Sequence, residues 1–342
     1  MSATDKTRRG FLRESMYFGA GLIAAGTAGK AIGMTSPFKA KIGRKGSNAG
    51  VKIIDLGERI RVEVNGKLFT EYVFKDEKAA FPYFYPVIGP TGVNITRHWP
   101  MKEGENEEHD HPHHRSLWFA HADVNGHDFW EGASEKIVHD EFSEIKNGQE
   151  AGIIRSRNKW VGKDGQVVCS DTRTYKFYNR PEEQMMDFEI TIHALNGEVI
   201  FGDTKEGSMA IRVAPTMQVE GKVGKGHIIN SEGNENKDAW GKRAAWCDYY
   251  GPLNGEVVGV AIFDHPQNPR HPTWWHVRTY GLFAANPFGI SFFEEKPKGA
   301  GDLTIKAGDS MTLRYRLYFH KGDEKQGKVA EHYREYAQAK QK

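Results

Sequence analysis

Six of the fifteen histidines lie between residues 109 and 127, in a segment that also carries carboxylates and an arginine. They are His109, His111, His113, His114, His121 and His127. Imidazole titrates near neutrality and is the commonest transition-metal ligand, so this cluster could exchange protons or bind a metal ion. Pro112 favours a loop or extended conformation here. In an extended segment, His111 and His113 would share one face, with Asp110 and His114 nearer the other. The alternative is a solvated polar loop.

A second segment, Gly202–Arg212, contains two carboxylates three residues apart, Asp203 and Glu206, in a loop bounded by glycines. Two such carboxylates are candidates for acid and base groups, although an ordinary charged turn has the same pattern. Arg212 interrupts an apolar run. It is therefore either exposed at an edge or buried against a carboxylate.

A third segment, Asp264–Arg278, contains three prolines, three histidines and the pair Trp274-Trp275. The prolines stiffen a long non-helical loop. Polar and aromatic groups that a rigid loop holds in place are typical of a binding site, and a well-packed crossover is the alternative.

We predict that these three segments form the walls of one cleft. His111 or His114 would act as base or acid, and Glu206 or His276 would be the partner. Ten further residues are predicted to bind or orient a substrate: Arg97, Arg115, His121, Asn125, Trp130, Asp203, Arg212, His271, Trp274 and Arg278. An exposed tryptophan can pack against the apolar face of a sugar ring, although Trp130 also suits a core position.

Two imidazoles and one carboxylate can hold a divalent metal ion, and His111, His113 and Asp110 could supply them, with His121 as another candidate ligand. The spacing does not require a metal, and no other cofactor is predicted. The sequence has neither a His-Glu-x-x-His motif nor a Gly-x-Ser-x-Gly motif.

Residues 1–35 have the pattern of a twin-arginine signal peptide. Arg8-Arg9 precede Phe11-Leu12, and a weakly apolar run extends from Met16 to Ala31. That run is shorter than the ~20 residues of a membrane span, which favours cleavage over retention as an anchor. We expect a periplasmic or secreted protein, with residues 36–50 as a linker.

Asn-Gly or Asp-Gly pairs separate segments of alternating apolar and polar residues, which is the strongest short signal for a hairpin. They occur at Asn65-Gly66, Asn147-Gly148, Asp164-Gly165, Asn196-Gly197 and Asn254-Gly255. The absence of helical segments between the strands favours antiparallel sheets over a βαβ fold. We predict an all-β protein: one large antiparallel two-sheet β-sandwich over residues 51–322 and a short C-terminal helix over residues 323–342.

Charge balance and missing motifs exclude several classes of protein. The 47 basic and 45 acidic residues give a net charge of +2 without a basic stripe, which argues against nucleic-acid binding. No Gly-x-Gly-x-x-Gly or P-loop motif indicates a nucleotide site. No stable membrane span is predicted after signal cleavage. Cys169 and Cys247 form either a disulfide or two buried thiols, and the sequence leaves this choice and the oligomeric state open.

Four stretches together resemble a bacterial family, DUF6807, that is also labelled the methane oxygenase PmoA family. They are Pro82–Val87, Asp110–Trp130, Asp203–Gly207 and His271–Gly289. The label implies little about activity, because particulate methane monooxygenase subunits cross the membrane several times, whereas no membrane span beyond the signal peptide is predicted in this chain. A looser similarity is to the galactose mutarotase-like supersandwich, in which histidine and carboxylate groups act on a sugar in an open cleft. No glutamate here lies on a motif that matches the catalytic one of that family, so the mutarotase reaction is not carried over.

Three functions are compatible with these patterns. The first is an exported carbohydrate-active enzyme of hydrolase, lyase or epimerase type, in which His and Asp or Glu groups exchange protons with a sugar or glycoside. The second is a metal-dependent enzyme with a His/Asp site. The third is a non-catalytic glycan-binding β-sandwich, which would have less need of so many histidines. The expected partner is a carbohydrate or a sugar-derived small molecule.

Overall fold

The computed structural model describes residues 49–132 and 134–339. The predicted signal peptide and nearly all of the predicted linker lie outside the described residues. The strands are β1 Val51–Asp55, β2 Arg59–Val64, β3 Lys67–Val73, β4 Tyr83–Val87, β5 Leu117–His121, β6 Lys136–Lys146, β7 Ala151–Val161, β8 Val167–Tyr178, β9 Gln184–His193, β10 Val199–Phe201, β11 Gly207–Arg212, β12 His227–Asn230, β13 Trp246–Leu253, β14 Glu256–Asp264, β15 Trp274–Val277, β16 Leu282–Asn286, β17 Leu303–Ile305 and β18 Ser310–Lys321. The α-helices are α1 Ile290–Phe293 and α2 Val329–Gln338.

Two antiparallel sheets of eight strands make up most of the fold. The strand order is β1-β2-β3-β4-β5-β11-β16-β15 in the first sheet and β12-β13-β14-β18-β9-β8-β7-β6 in the second. A small pair, β10 and β17, stands apart from both. The predicted all-β two-sheet sandwich with a short C-terminal helix is confirmed.

Two of the predicted Asn-Gly turns, at Asn65-Gly66 and Asn254-Gly255, connect strands that pair as hairpins. Asn65 and Asn254 both have φ of 52°, and each is followed by a glycine with positive φ, in the turns β2–β3 and β13–β14. This left-handed pair is what a two-residue hairpin turn requires. The hairpin predicted at Asn196-Gly197 is wrong, because β10 pairs with β17 and β9 pairs with β8 and β18.

The main core lies between the two sheets, where side chains such as Phe119, Trp160 and Phe188 pack together. In β5, β11, β15 and β16 every residue is buried, including those on the face directed away from the second sheet. Successive side chains of a strand point to opposite faces of the sheet, so strands in which every residue is buried must be covered on the outer face as well as the inner one. The loops and side chains over this outer face bring the candidate site together.

One row of paired residues crosses the outer face of these four strands. It runs from Trp118 through Ala210 and Ala284 to His276. At ~4.8 Å per strand, the two ends of the row lie ~14 Å apart. The alanines between them are fully buried beneath neighbouring side chains. The candidate site described below has two halves on this outer face, one beside Trp118 and the other around His276.

Helix α2 begins at Val329, later than the start of the predicted helical segment. Val329 and Tyr336 pack with Phe263 and Trp246 in a second apolar cluster against the second sheet. No helix within the described ranges is both long and apolar enough to cross a membrane. Cys169 and Cys247 are buried free thiols.

Candidate functional site

Asp110 lies at the centre of a charged cluster where the loop before β5 meets the end of β11. Its Oδ1 accepts a hydrogen bond from Arg97 Nη1 and lies 3.3 Å from Arg212 Nη2, and its Oδ2 lies 2.6 Å from Nδ1 of His111. The side chains of Arg97 and Arg212 are only 1% and 2% exposed. Burial raises the pKa of the Asp110 carboxyl, but Arg212, His111 and Arg97 outweigh it, and the net shift is downward.

The ionised Asp110 determines which nitrogen of His111 carries the proton. A carboxylate can only accept, so Nδ1 of His111 donates and the lone pair stays on Nε2. The His111 side chain is 41% exposed, in contrast to its two arginine neighbours. A partly exposed imidazole oriented by a carboxylate is the arrangement of a general base.

Four rings form a column beside this pair. Tyr280, His111, His114 and Trp118 follow one another with centroid separations of 5.5, 4.7 and 5.4 Å and interplanar angles of 11°, 11° and 24°. The predicted alternation of faces is wrong, because residues 111–114 form a turn in which His114 N donates to His111 O at 2.9 Å. The turn brings His111 and His114 together and sets His113 edge-on to both.

His114 accepts a hydrogen bond at Nδ1, so that nitrogen is not available as a base. Arg212 Nη1 lies 3.0 Å from its Nδ1, and a guanidinium can only donate, so the proton of the neutral ring is on Nε2. That Nε2 is buried and has no hydrogen-bond partner among the described residues. Burial, His113 and Arg212 lower the pKa of His114 well below its ordinary value. Of the two predicted alternatives, His111 is therefore the better base.

The second half of the site is built around His276. Trp240 Nε1 donates to its Nδ1 at 3.1 Å, so its proton is also on Nε2. Nε2 lies 3.9 Å from Oε2 of Glu206, which is too long for a hydrogen bond. Burial first, then Lys205 and Arg278, lower the pKa of His276 to about 3. His276 is thus a neutral donor, and Glu206 is the carboxylate that faces it.

Tyr280 lies between the two halves. The guanidinium carbons of Arg212 and Arg278 lie 4.6 and 5.6 Å from the centre of its ring. Burial raises the pKa of Tyr280; the two arginines lower it, and Glu206 and Asp110 raise it further. The first segment therefore contacts Tyr280, two residues beyond the third segment, and Glu206 of the second segment faces His276 of the third.

An open cavity of about 420 Å³ adjoins the first half. Its lining mixes charged, imidazole and apolar groups: Lys78, Ala80, Phe81, His111, Pro112, His113, Arg115, Glu131 and Gly132. Its volume is in the range of small-molecule sites, about 300–1,000 Å³. His111 lies on its wall, which gives the oriented imidazole access to a ligand.

Two arginines predicted to bind substrate hold the base in place instead. Arg97 and Arg212 are buried and directed at Asp110, so the prediction that they touch substrate is wrong. Arg115 does line the cavity, with its guanidinium 3.2 Å from Asp76 Oδ2. Trp130 is fully buried with its ring 5.8 Å from that of His114, so it cannot be an exposed stacking platform.

Three other predicted ligand contacts are internal hydrogen bonds. His121 is fully buried, with Nε2 at 2.8 Å from Gly202 O and Nδ1 at 3.3 Å from Ser208 Oγ. The side chain of Asn125 bonds to the backbone of residues 198 and 200. Asp203 accepts from the backbone N–H groups of residues 291 and 301. Each satisfies backbone or core groups of the fold. The burial of His121 and Asp203 contradicts their assignment to substrate, whereas the assignment of the exposed Asn125 stays a prediction.

His271 and Trp274 are also occupied elsewhere. Nδ1 of His271 lies 2.7 Å from the buried Asp264 at the end of β14. Trp274 is buried, donates to Glu294 Oε1 at 3.0 Å and is covered by the guanidinium of Arg243 at 4.4 Å. The structure does not place either ring in the site.

The predicted metal ligands are engaged with one another and with cations. Asp110 faces two guanidiniums, which would repel a divalent ion, and it already binds His111. No group of three or more His, Cys, Asp or Glu side chains in the described ranges is arranged to hold a metal ion. The set of His111, His113 and Asp110 does not fit such a site.

Sequence reasoning missed Trp240 and selected no role for Tyr280. Trp240 follows a short 3₁₀ turn, Asn236–Ala239, with no motif around it, and only β-pairing brings His276 near it. Tyr280 lies two residues after the third segment, and its stacking on His111 depends on contacts between distant parts of the chain. No local signal marks either residue.

The chain matches the model of one known protein family. The family described as "Family of unknown function (DUF6807)" matches residues 59–334. The chain belongs to the DUF6807 family. The predicted membership is confirmed, and the family description itself states no activity. A search of curated proteins finds no match.

Solved structures with some likeness to this DUF6807 protein include galactose mutarotase-like proteins. One from Lactobacillus casei ATCC 334 is 10% identical, with 79% of this chain and 100% of that chain covered and a TM-score of 0.30. A putative aldose 1-epimerase from Escherichia coli K12 is 10% identical, with coverage of 80% and 99% and a TM-score of 0.29. A galactose mutarotase related enzyme from Lactobacillus acidophilus is 10% identical, with coverage of 79% and 97% and a TM-score of 0.26. At these scores the likeness transfers neither activity nor site residues.

Proposed function

We propose that this protein is a proton-transfer enzyme that acts on a sugar or sugar-derived molecule, with His111 as the general base. The observation that carries the proposal is the Asp110–His111 pair at 2.6 Å, which two buried arginines hold against an open cavity of about 420 Å³. Exposed histidines do not need such support. A base does, because the carboxylate both selects the tautomer and stabilises the imidazolium that forms.

In the proposed reaction, Nε2 of His111 takes a proton from the substrate, and Asp110 stays ionised. His276 is held as a neutral N–H donor, suited to an oxygen atom on which negative charge develops, whereas the buried His114 packs against the base. Glu206 is the second acid–base group, facing His276 from the other half. The lyase, epimerase and hydrolase reactions predicted above all need a base, which takes a proton from carbon or a hydroxyl group of the substrate or, in a hydrolase, from the attacking water.

The lining of the cavity supports a sugar-like ligand. Hydroxyl groups need hydrogen-bonding partners, which His111, His113 and Arg115 can supply, while Phe81 and Ala80 provide apolar surface for the C–H face of a ring. A mainly apolar ligand would leave the charged groups without partners, at a cost in affinity.

The first experiment is a turnover screen of the purified protein against plant and algal oligosaccharides and their oxidised derivatives, with product analysis by chromatography. On a converted substrate, His111→Ala is expected to lower kcat/KM by on the order of 10²-fold or more. His109→Ala is the matched control, since His109 belongs to the same window but stacks on Trp99 at 3.9 Å and pairs with Glu103. Equal loss in both variants, or none in either, contradicts the role of His111.

The same screen addresses the other predicted functions. Binding of glycans without turnover would favour the non-catalytic module. The metal-dependent alternative stays a prediction, and elemental analysis after metal-supplemented expression tests it.

Export is a separate proposal. It rests on Arg8-Arg9 and the apolar run to Ala31, which are outside the described residues. Replacement of both arginines by lysine is expected to retain the protein in the cytoplasmic fraction. Unchanged amounts in the periplasm or medium would contradict the twin-arginine route.

A further inference from the structure

Arg278 differs from every other arginine in the described part of the chain. Each of the others makes a hydrogen bond or ion pair to a carboxylate or a carbonyl oxygen. Within the described ranges, the guanidinium of Arg278 makes neither, and only its backbone N–H bonds to a carbonyl, that of residue 282. Its contacts are with ring faces: its guanidinium carbon lies 5.8 Å from the centre of Trp240 and 5.6 Å from that of Tyr280.

Two ring faces orient a guanidinium without using its N–H groups. Stacking engages the flat face of the group, while the hydrogen-bond donors lie in its plane. Arg278 is only partly buried, so these donors are accessible to a ligand. A planar fork held in this way matches a carboxylate, with which it forms two parallel hydrogen bonds.

The neighbours of Arg278 reinforce the preference for an anion. Trp240 also donates to Nδ1 of His276, so the same indole that stacks on Arg278 turns the Nε2–H of His276 toward the site. Arg212 lies over the ring of Tyr280, the second ring that Arg278 contacts. The carboxylate of this half, Glu206, is already paired with Lys205.

Four cationic side chains surround the site, Arg97, Arg212, Arg278 and Lys205. All of them except Arg278 are paired with a carboxylate, Asp110 or Glu206. Asp110 is shared between Arg97 and Arg212, which leaves Arg278 as the cation without a counterion among the described residues. A neutral sugar would not supply one.

We infer that the substrate is a sugar acid whose carboxylate binds Arg278, with the Nε2–H of His276 as an additional donor. This inference rests on the proposed function only in taking the ligand to be sugar-derived. It narrows the substrate class from carbohydrates in general to uronates, aldonates or oligosaccharides that contain them.

Calorimetric titration of the full-length protein tests this inference without relying on turnover. The probes are D-glucuronate and D-galacturonate, with D-glucose and D-galactose as the neutral counterparts and D-glucose 6-sulfate as a different anion. We expect the uronates to bind on the order of 10- to 100-fold more tightly than the neutral sugars, as expected for a charge-assisted hydrogen-bonded pair.

Variants identify the residue responsible. Arg278→Gln is expected to remove the preference for uronates, and Arg278→Lys to retain part of it, since an ammonium keeps the charge and loses the fork. Arg243→Gln is the matched control, because Arg243 also stacks on a tryptophan but bonds to the carbonyls of residues 270 and 272. It should leave the preference unchanged.

Each possible outcome decides the question. Equal affinity for uronates and neutral sugars, or an undiminished preference in Arg278→Gln, overturns this inference and leaves the proposed function standing. Binding of the sulfate as tight as that of the uronates overturns the choice of a carboxylate. No binding of any sugar overturns the sugar-derived substrate of the proposed function, and this inference with it.

Discussion

Replacement of Asp110 by asparagine tests the charged cluster most directly. The substitution keeps the shape of the side chain and removes its charge, so Arg97 and Arg212, 1% and 2% exposed, lose their shared counterion. Loss of one partner of a buried pair costs about 3–5 kcal/mol. Because the Asp110 side chain is itself 31% exposed, we expect a smaller loss in the free energy of unfolding, about 2–4 kcal/mol.

The assay is urea unfolding of the full chain at neutral pH, followed by fluorescence. Asp140→Asn is the matched control, since Asp140 is 42% exposed and pairs with Lys159 on the surface at 2.6 Å. This change should stay within about 1 kcal/mol. Asp110 has a lowered folded-state pKa, so its contribution is present above the unfolded-state pKa and is lost as the pH falls through the folded-state value. Wild-type stability of Asp110→Asn at neutral pH would refute the reasoning.

Three further predictions concern histidines whose protonation the fold controls. Burial lowers the pKa of His121 to about 4 and that of His276 to about 3. The free energy of unfolding should therefore fall as the pH drops below about 6.5, by about 1.4 kcal/mol per pH unit for each histidine. A urea midpoint that stays flat between pH 7 and 4.5 would contradict this. Burial lowers the pKa of His320, but the buried Asp248, 3.0 Å away, outweighs this effect and raises it. The contribution of His320 to the free energy of unfolding is therefore complete below about pH 6.5 and is lost as the pH rises through the folded-state pKa. A pH series of urea midpoints in Asp248→Asn should lack this decline. Trp240→Phe removes the donor to Nδ1 of His276, so the ¹⁵N chemical shifts of that ring should report a change of tautomer, and unchanged shifts would show that the indole does not control it.

Local patterns in the chain were sufficient for the fold class. Alternation and left-handed turn pairs such as Asn65-Gly66 depend on a few neighbouring residues, and most of the predicted turns lie between paired strands. The exception at Asn196-Gly197 shows the limit of that signal, since a turn does not determine which strands pair across it.

The sequence also identified the right segments for the site but not the right side chains. Residue type marked His111, Glu206 and His276 as candidates, and these do lie in the two halves of the candidate site. Residue type gave the same weight to His121 and Asp203, whose hydrogen bonds are internal to the fold. Which side of a strand or turn a residue faces decides between these two outcomes.

The sequence by itself determined the two-sheet β class and the concentration of titratable groups in three segments, because strand alternation, turn chemistry and residue type are local properties. Only the tertiary structure decided the chemistry of each group. It paired Asp110 with His111, set the N–H tautomers of His114 and His276 through Arg212 and Trp240, and left Arg278 without a counterion in the described part of the chain. These properties depend on burial and on partners that are distant in sequence, and no local pattern contains that information.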